Sequence, residues 1–149
     1  MATPILPDDF KEFLKLLNEK RVEYLLIGGY AVGYYGYVRS TADIDIWIAP
    51  TVENAERCLS AISEFGFATP ELNPEVLLAP NNITRMGIPP FRIEVLTSIS
   101  GVIFEDCYAE RVVDDLDGVE VSLISREHLK LNKKASGRLK DLADLEHLP

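Results

Sequence analysis

Asp43 and Asp45 stand one apolar residue apart in the run Asp43-Ile44-Asp45-Ile46-Trp47-Ile48. In an extended strand alternate side chains share a face. Asp43, Asp45 and Trp47 then point one way, and the isoleucines at 44, 46 and 48 point the other. The isoleucines take the core face, which leaves two carboxylates on the open face, about 7 Å apart along the chain. Carboxylates held that close repel each other unless a cation lies between them. Hard divalent ions take oxygen donors, and magnesium usually takes one or two carboxylates together with substrate phosphates. The pair therefore points to a divalent metal, and the metal to a phosphorylated substrate.

Gly28-Gly29 supplies a place for such a phosphate. The glycines follow the apolar run Leu25-Leu26-Ile27 and open a helical-looking stretch over 30–37. A helix start with bare glycine backbone offers free N–H groups and a partial positive charge to an anion. Two other glycine motifs fail here. Gly28, Gly29, Gly33 and Gly36 do not fit G-x-G-x-x-G, and the P-loop spacing of Gly28 and Gly33 is followed by Tyr34 where lysine is required.

Ile27-Gly28-Gly29 followed by Asp43-Ile44-Asp45-Ile46 resembles the signature of the DNA-polymerase-β-like nucleotidyltransferase superfamily. The lead-in Arg39-Ser40-Thr41-Ala42 and the element Lys140-Asp141-Leu142-Ala143-Asp144 narrow the likeness to small bacterial nucleotidyltransferases grouped with abortive-infection and type IV toxin–antitoxin toxins. The resemblance implies a metal-dependent transfer of an NMP from an NTP to an acceptor hydroxyl, with release of pyrophosphate. The acceptor is RNA, protein or a small molecule, and a partner or antitoxin chain fits the same likeness. It implies two Mg²⁺ ions, with Mn²⁺ as substitute, on Asp43, Asp45 and a third carboxylate from a neighbouring strand, for which Glu94 is the candidate. By the same analogy, Gly28, Gly29, Tyr30, Arg39 and Thr41, with Lys133 and Lys140 ahead of Arg138, are expected at the nucleotide. A Gly-Gly pair replaces the commoner Gly-Ser, so Ser40 or Thr41 is expected to supply the missing hydroxyl. The alternative function is a module that binds nucleotide without turnover, as a sensor or as one half of a toxin–antitoxin pair.

The elements that must position these groups follow from pattern. Phe10, Phe13, Leu14 and Leu17 recur at helical spacing behind Asp8-Asp9, which suit a first turn. A strand is expected over 22–27, a short helix over 29–36 and the carboxylate strand over 43–48. Tyr30, Tyr34, Tyr35 and Tyr37 crowd the short helix, either as packing aromatics or as a base-stacking surface. Thr51 is placed to cap a helix ending before Gly66, with Leu59, Ile62 and Phe65 as its buried stripe. Three prolines mark 67–81 as loop. Strands follow over 82–86 and 91–96, the second carrying Glu94, then a short helix over 104–109. A pair of strands over 111–114 and 119–124 flanks a turn at 115–118. Ser125 caps a lysine-rich helix over 126–134, and a last helix over 138–148 presents Leu139, Leu142, Leu145 and Leu148 as its apolar face.

The chain has 149 residues and a net charge of −9. Its length suits one nucleotidyltransferase domain over 1–149 with a substantial core. The fold class is α/β (α+β): a short, mixed, twisted sheet with helices packed on one face and the acidic residues on the other. The acidic balance opposes a broad electrostatic grip on nucleic acid but allows a local basic patch. No apolar run reaches the ~20 residues of a membrane span, and the first residues lack the form of a secretory signal. Cys58 and Cys107 lack metal or redox spacing, which suits a reducing cytoplasm.

Overall fold

The computed structural model describes residues 5–38, 41–88 and 90–149. The described elements, in chain order, are α1 (Asp8–Glu19), β1 (Tyr24–Ile27), α2 (Gly28–Tyr34), β2 (Asp43–Ile48), α3 (Val52–Phe65), β3 (Ile83–Met86), β4 (Arg92–Leu96), α4 (Phe104–Ala109), β5 (Val112–Leu116), β6 (Val119–Leu123), α5 (Arg126–Ser136) and α6 (Leu139–His147). The strands form one mixed sheet in the order β3-β4-β2-β1-β6-β5. β1 and β2 are antiparallel, while β2 and β4 are parallel, so the carboxylate strand lies in the middle of the sheet.

The register of β2 is fixed by its isoleucines. Ile44, Ile46 and Ile48 are at most 1% exposed and face the larger apolar core beneath α1 and α3. Burying each such side chain contributes about 1.5–3 kcal/mol. A one-residue slip would turn the isoleucines onto the opposite face and drive Asp43 and Asp45 into the core. The same pleat that fills the core thus sets the two carboxylates on the opposite face.

Local chemistry ends the elements where the sequence indicates. The Thr51 hydroxyl accepts from the Asn54 N–H at the start of α3, and Gly66 closes that helix at φ 99°. The buried Asn54 amide accepts from the Glu23 N–H and donates to the Glu23 and Ala49 carbonyls, tying the entrance of β1 to the exit of β2. Ser125 caps α5 by accepting from the His128 N–H. Asp117-Gly118, both at positive φ, make the tight β5–β6 turn. Asp115, expected in that turn, instead belongs to β5 and pairs with Glu120.

Two helical faces depart from expectation. The buried stripe of α3 consists of Ala55, Cys58, Ala61 and Ile62 with Asn54, and Leu59 and Phe65 pack at its edge. Small side chains there let α3 lie close to α1 and the sheet. On α6 the face is inverted in its first turns: Leu139 is 87% exposed and Leu142 42%, while Asp141 and Asp144 are each 1% exposed; Leu145 is half-buried and Leu148 packs inward as expected. Leu139 and Leu142 lie outside because the buried ammonium of Lys133 attracts the aspartates instead.

The second face of the sheet holds a smaller apolar cluster. Leu25, Ile27 and Trp47 pack there with Ala31 and Val32 of α2, Phe104 and Cys107 of α4, and Leu129 of α5. Trp47 meets Phe104 edge-on at 5.1 Å. The indole N–H of Trp47 is buried without a hydrogen-bond partner. Cys58 and Cys107 are both free and buried. Among the described residues no helix is long and apolar enough to cross a membrane.

Candidate active site

Strand pairing assembles the site. Asp43 is in register with Arg92 and Asp45 with Glu94, across the parallel β2–β4 pair. Glu94 is in turn opposite Arg85 across β3–β4. Side chains at matched positions of neighbouring strands share a face, so one row runs Asp45–Glu94–Arg85 and the next Asp43–Arg92. The Arg92 guanidinium lies 3.4 Å from the Asp43 carboxylate, and that of Arg85 lies 3.5 Å from Glu94. Both pairs are long: Arg85 meets Glu94 by one contact, Arg92 meets both oxygens of Asp43 at 3.4 and 3.5 Å, and each arginine stays partly open to solvent.

The glycine turn closes against this row. Gly28 is at φ +69°, a conformation that costs other residues strain, and a Cβ there would overlap the Asp45 carboxylate. Gly29 has a different reason: a Cβ would stand 2.6 Å from Thr41 Oγ1. The Thr41 hydroxyl therefore occupies the space that a side chain at position 29 would take, and it donates to the Asp43 carbonyl at 3.3 Å.

These contacts shape the electrostatics. Burial pushes the Asp45 carboxyl up to about 7, with repulsion from Glu94 and Asp43 adding to it and the charges of Lys140 and Lys133 opposing it. Glu94 is also raised, first by burial and then by its hydrogen bond with the Asp43 carboxyl, against the pull of Arg85 and Arg92. Three carboxyl groups crowd one another at the point where β2 and β4 face the cleft.

The opposite wall is an ion-pair network with Lys140 beside it. Lys133 of α5 is 5% exposed, with its ammonium 3.0 Å from Asp141 and 3.1 Å from Asp144. Asp141 also accepts from the Ser136 hydroxyl and, at 2.8 Å, from the Arg138 guanidinium. Burial alone would raise Asp141, but the hydrogen bonds from Ser136, Lys133 and Arg138 outweigh it and hold the carboxyl at about 2. Gly137, at φ +67°, turns the chain from α5 into α6 and makes this closure possible.

Between the walls lies a cleft of about 770 Å³, large enough for a nucleotide. Among the residues predicted from sequence, Gly28, Gly29, Thr41, Asp43, Asp45, Glu94, Lys133, Arg138 and Lys140 line it. Tyr30 is not among them: it is 7% exposed and packs edge-on against Phe10. The other tyrosines near α2 have structural partners. Tyr34 donates to Asp114, Tyr35 donates to the Ile124 carbonyl, and Tyr37 stacks on His147 at 4.3 Å. Arg39 and Ser40 lie outside the described residues.

Sequence reading missed Arg85, Ile83, Ser98, Ile99, Ser100 and Asn132, which also line the cleft. For Arg85 the signal was its register with Glu94, which no single sequence displays. Ser98–Ser100 lie one residue beyond β4, and Asn132 ties α5 to that loop by donating to the Ser100 carbonyl at 3.0 Å.

The donor chemistry suits a hard divalent cation. The site offers oxygen ligands only, and the mutual crowding that raises Asp45 and Glu94 is what a bound cation would relieve. Among the described residues no three such side chains stand closed into a ready metal cage. The arginines beside Asp43 and Glu94 are the groups a metal would have to displace.

No family model matches the chain, and no curated protein matches it by sequence. Solved structures do match in fold. A Thermotoga maritima protein provisionally named a nucleotidyltransferase superposes with a TM-score of 0.62 at 16% identity, covering 92% of this chain and 88% of the other. An antigenic nucleotidyltransferase-like protein from Paracoccidioides brasiliensis gives a TM-score of 0.54 at 15% identity, covering 92% and 72%. The chain has the fold of nucleotidyltransferase-like proteins.

Proposed function

We propose that this protein is a metal-dependent nucleotidyltransferase that moves an NMP from an NTP to an acceptor hydroxyl. The observation that carries the reading is the row Asp43, Asp45 and Glu94 gathered beside the Gly28-Gly29 turn and facing a wall of Lys133, Lys140 and Arg138. Carboxylates for metal and cations for triphosphate meet across one nucleotide-sized cleft.

Asp43, Asp45 and Glu94 would hold the metal. Mg²⁺, when bound there, neutralises the charge that develops on the phosphoryl oxygens. The protein's own groups do the rest. The α2 backbone after Gly28, the Thr41 hydroxyl, Lys133 and Lys140 bind and orient the phosphates. Lys133 is held in place by Asp141 and Asp144, so its charge is fixed before substrate arrives. The acceptor oxygen attacks the α-phosphorus as the bond from that phosphorus to the pyrophosphate oxygen breaks. Pyrophosphate leaves with the electron pair. The hydroxyl proton passes to Glu94, the carboxylate of the row on the β3–β4 side. Catalysis of this kind is mostly positioning and charge neutralisation.

The test is pyrophosphate release from each NTP with Mg²⁺ or Mn²⁺ and total cellular RNA, or cellular protein, as acceptor. Release by the native chain and none by Asp43→Ala/Asp45→Ala supports the reading and names the nucleotide. Tight NTP binding without release, unchanged by those substitutions, supports a nucleotide-binding module instead. Failure to bind any NTP sinks the proposal. A toxin's role belongs to the same reading: induced expression should arrest bacterial growth, and Asp43→Ala should abolish the arrest.

A further inference from the structure

The carboxylate row has two unlike flanks. On one side stand the glycine turn and the α5–α6 cations. On the other side, along the outer strands β3 and β4, stand Arg85 and Arg92. We infer that Arg85 and Arg92 form a phosphate subsite for the acceptor, so that the acceptor is the end of a nucleic-acid strand rather than a neutral hydroxyl compound. The inference rests on the proposed nucleotidyl transfer.

Direction of attack makes the first argument. In an in-line displacement the attacking and leaving oxygens lie on opposite sides of the phosphorus. With the leaving pyrophosphate against Lys133, Lys140 and the glycine turn, the acceptor must approach across β4 and β3. That approach passes Arg85, which lines the cleft with its side chain 55% exposed, and Arg92 at 36%.

Charge makes the second. Arg85 reaches Glu94 through one long contact of 3.5 Å, and Arg92 reaches Asp43 through two, at 3.5 Å from Nε and 3.4 Å from Nη2, so each guanidinium keeps N–H groups unused. When the carboxylates serve a cation, both guanidinium groups lose their anionic partners and are repelled by the ion. An incoming phosphodiester restores the balance, and the guanidinium fork matches phosphate geometry. Ile83, Leu96 and Ile99 of the same cleft add an apolar surface on which a base can rest.

The test uses the full-length protein, Mg²⁺ and a fluorescently labelled single-stranded oligoribonucleotide of roughly twelve residues. Anisotropy at low salt should show binding to the native chain. Arg85→Ala/Arg92→Ala should weaken it about tenfold or more and lower the salt slope by roughly 1.4, about 0.7 for each lost phosphate contact. Arg85→Lys/Arg92→Lys keeps the charge without the fork and should fall between, which separates the effect from unfolding. Lys15→Ala/Arg57→Ala, on the α1 and α3 side, removes the same charge and should leave binding unchanged. NTP affinity by calorimetry should not fall in the Arg→Ala protein, because the two arginines compete with the metal for Asp43 and Glu94. Absence of RNA binding, equal binding by the Arg→Ala variant, or a matching loss of NTP affinity would each overturn the inference. RNA binding that behaves as expected in a protein that binds no NTP would retain the phosphate subsite while removing the nucleotidyltransferase reading.

Discussion

Gly28 lies so close beneath Asp45 that one added methyl group would overlap the carboxylate. The glycine at the head of α2 thus leaves the space that the central carboxylate occupies. Gly28→Ala should cost about 1–3 kcal/mol from backbone strain alone and should also push Asp45 aside. Thermal melting should show the first effect, and loss of metal-dependent NTP binding the second. A variant that melts and binds as the native chain does would show that Asp45 has room to move.

The neighbouring glycine answers to Thr41. Because Thr41 Oγ1 occupies the space beside Gly29, Gly29→Ser should destabilise the chain. Gly29→Ser/Thr41→Ala should recover most of the loss and keep a hydroxyl beside the glycine turn. The two changes should therefore be strongly non-additive in a double-mutant cycle. Additive melting shifts would refute this coupling.

Asp45 gives the metal-free protein a distinctive pH dependence. Its carboxyl titrates near 7 in the fold, well above the usual carboxylate range. A raised folded value means that its contribution to stability is fully present below about pH 4 and is lost as pH rises to 7. Asp141 acts oppositely: held at about 2, it contributes above about pH 4 and is lost as pH falls toward 2. Asp45→Asn should therefore stabilise the metal-free protein at pH 8 by about 1–3 kcal/mol while abolishing transfer. Denaturant titrations at pH 8 and pH 5 check this; a gain no larger at pH 8 than at pH 5 would refute it.

Lys133 and Lys140 both line the cleft but should fail in different ways. Lys133→Met leaves Asp141 and Asp144 buried without their shared ammonium and should cost about 3–5 kcal/mol. Lys140→Ala leaves no such buried charge and should change stability by less than about 0.5 kcal/mol, its effect appearing in NTP affinity. Calorimetric unfolding and NTP titration of both variants separate a buried brace from an open contact.

The face of α6 offers a simple check on its inversion. Leu139→Ala should change stability by no more than about 0.5 kcal/mol, since the side chain is 87% exposed. Asp144→Ala should destabilise by about 3 kcal/mol or more by leaving Lys133 short of a partner. Equal melting shifts would restore the leucine-face reading.

Sequence alone determined the parts of this protein whose physics is local. The alternation of Asp43–Ile48 fixed a strand with carboxylates on one face, because a slip would trade buried isoleucine for buried charge. Thr51, Gly66 and Ser125 marked helix ends through capping that involves neighbours a few residues away. The chemistry of the candidate site was legible for the same reason: Gly28-Gly29 and the Asp43/Asp45 pair lie on two short consecutive elements. What tertiary structure decided depends on residues far apart in the chain. Glu94 joins Asp45, and Arg85 and Arg92 come beside the carboxylates, only through pairing of β2, β4 and β3. The tyrosines after Gly29 became ties to core and sheet because partners such as Asp114 and Ile124 come from the distant β5–β6 region. On α6, periodicity favoured leucine, but the buried Lys133 ammonium turned the aspartates inward, since a buried lysine charge left without a partner would cost more than exposing two leucines.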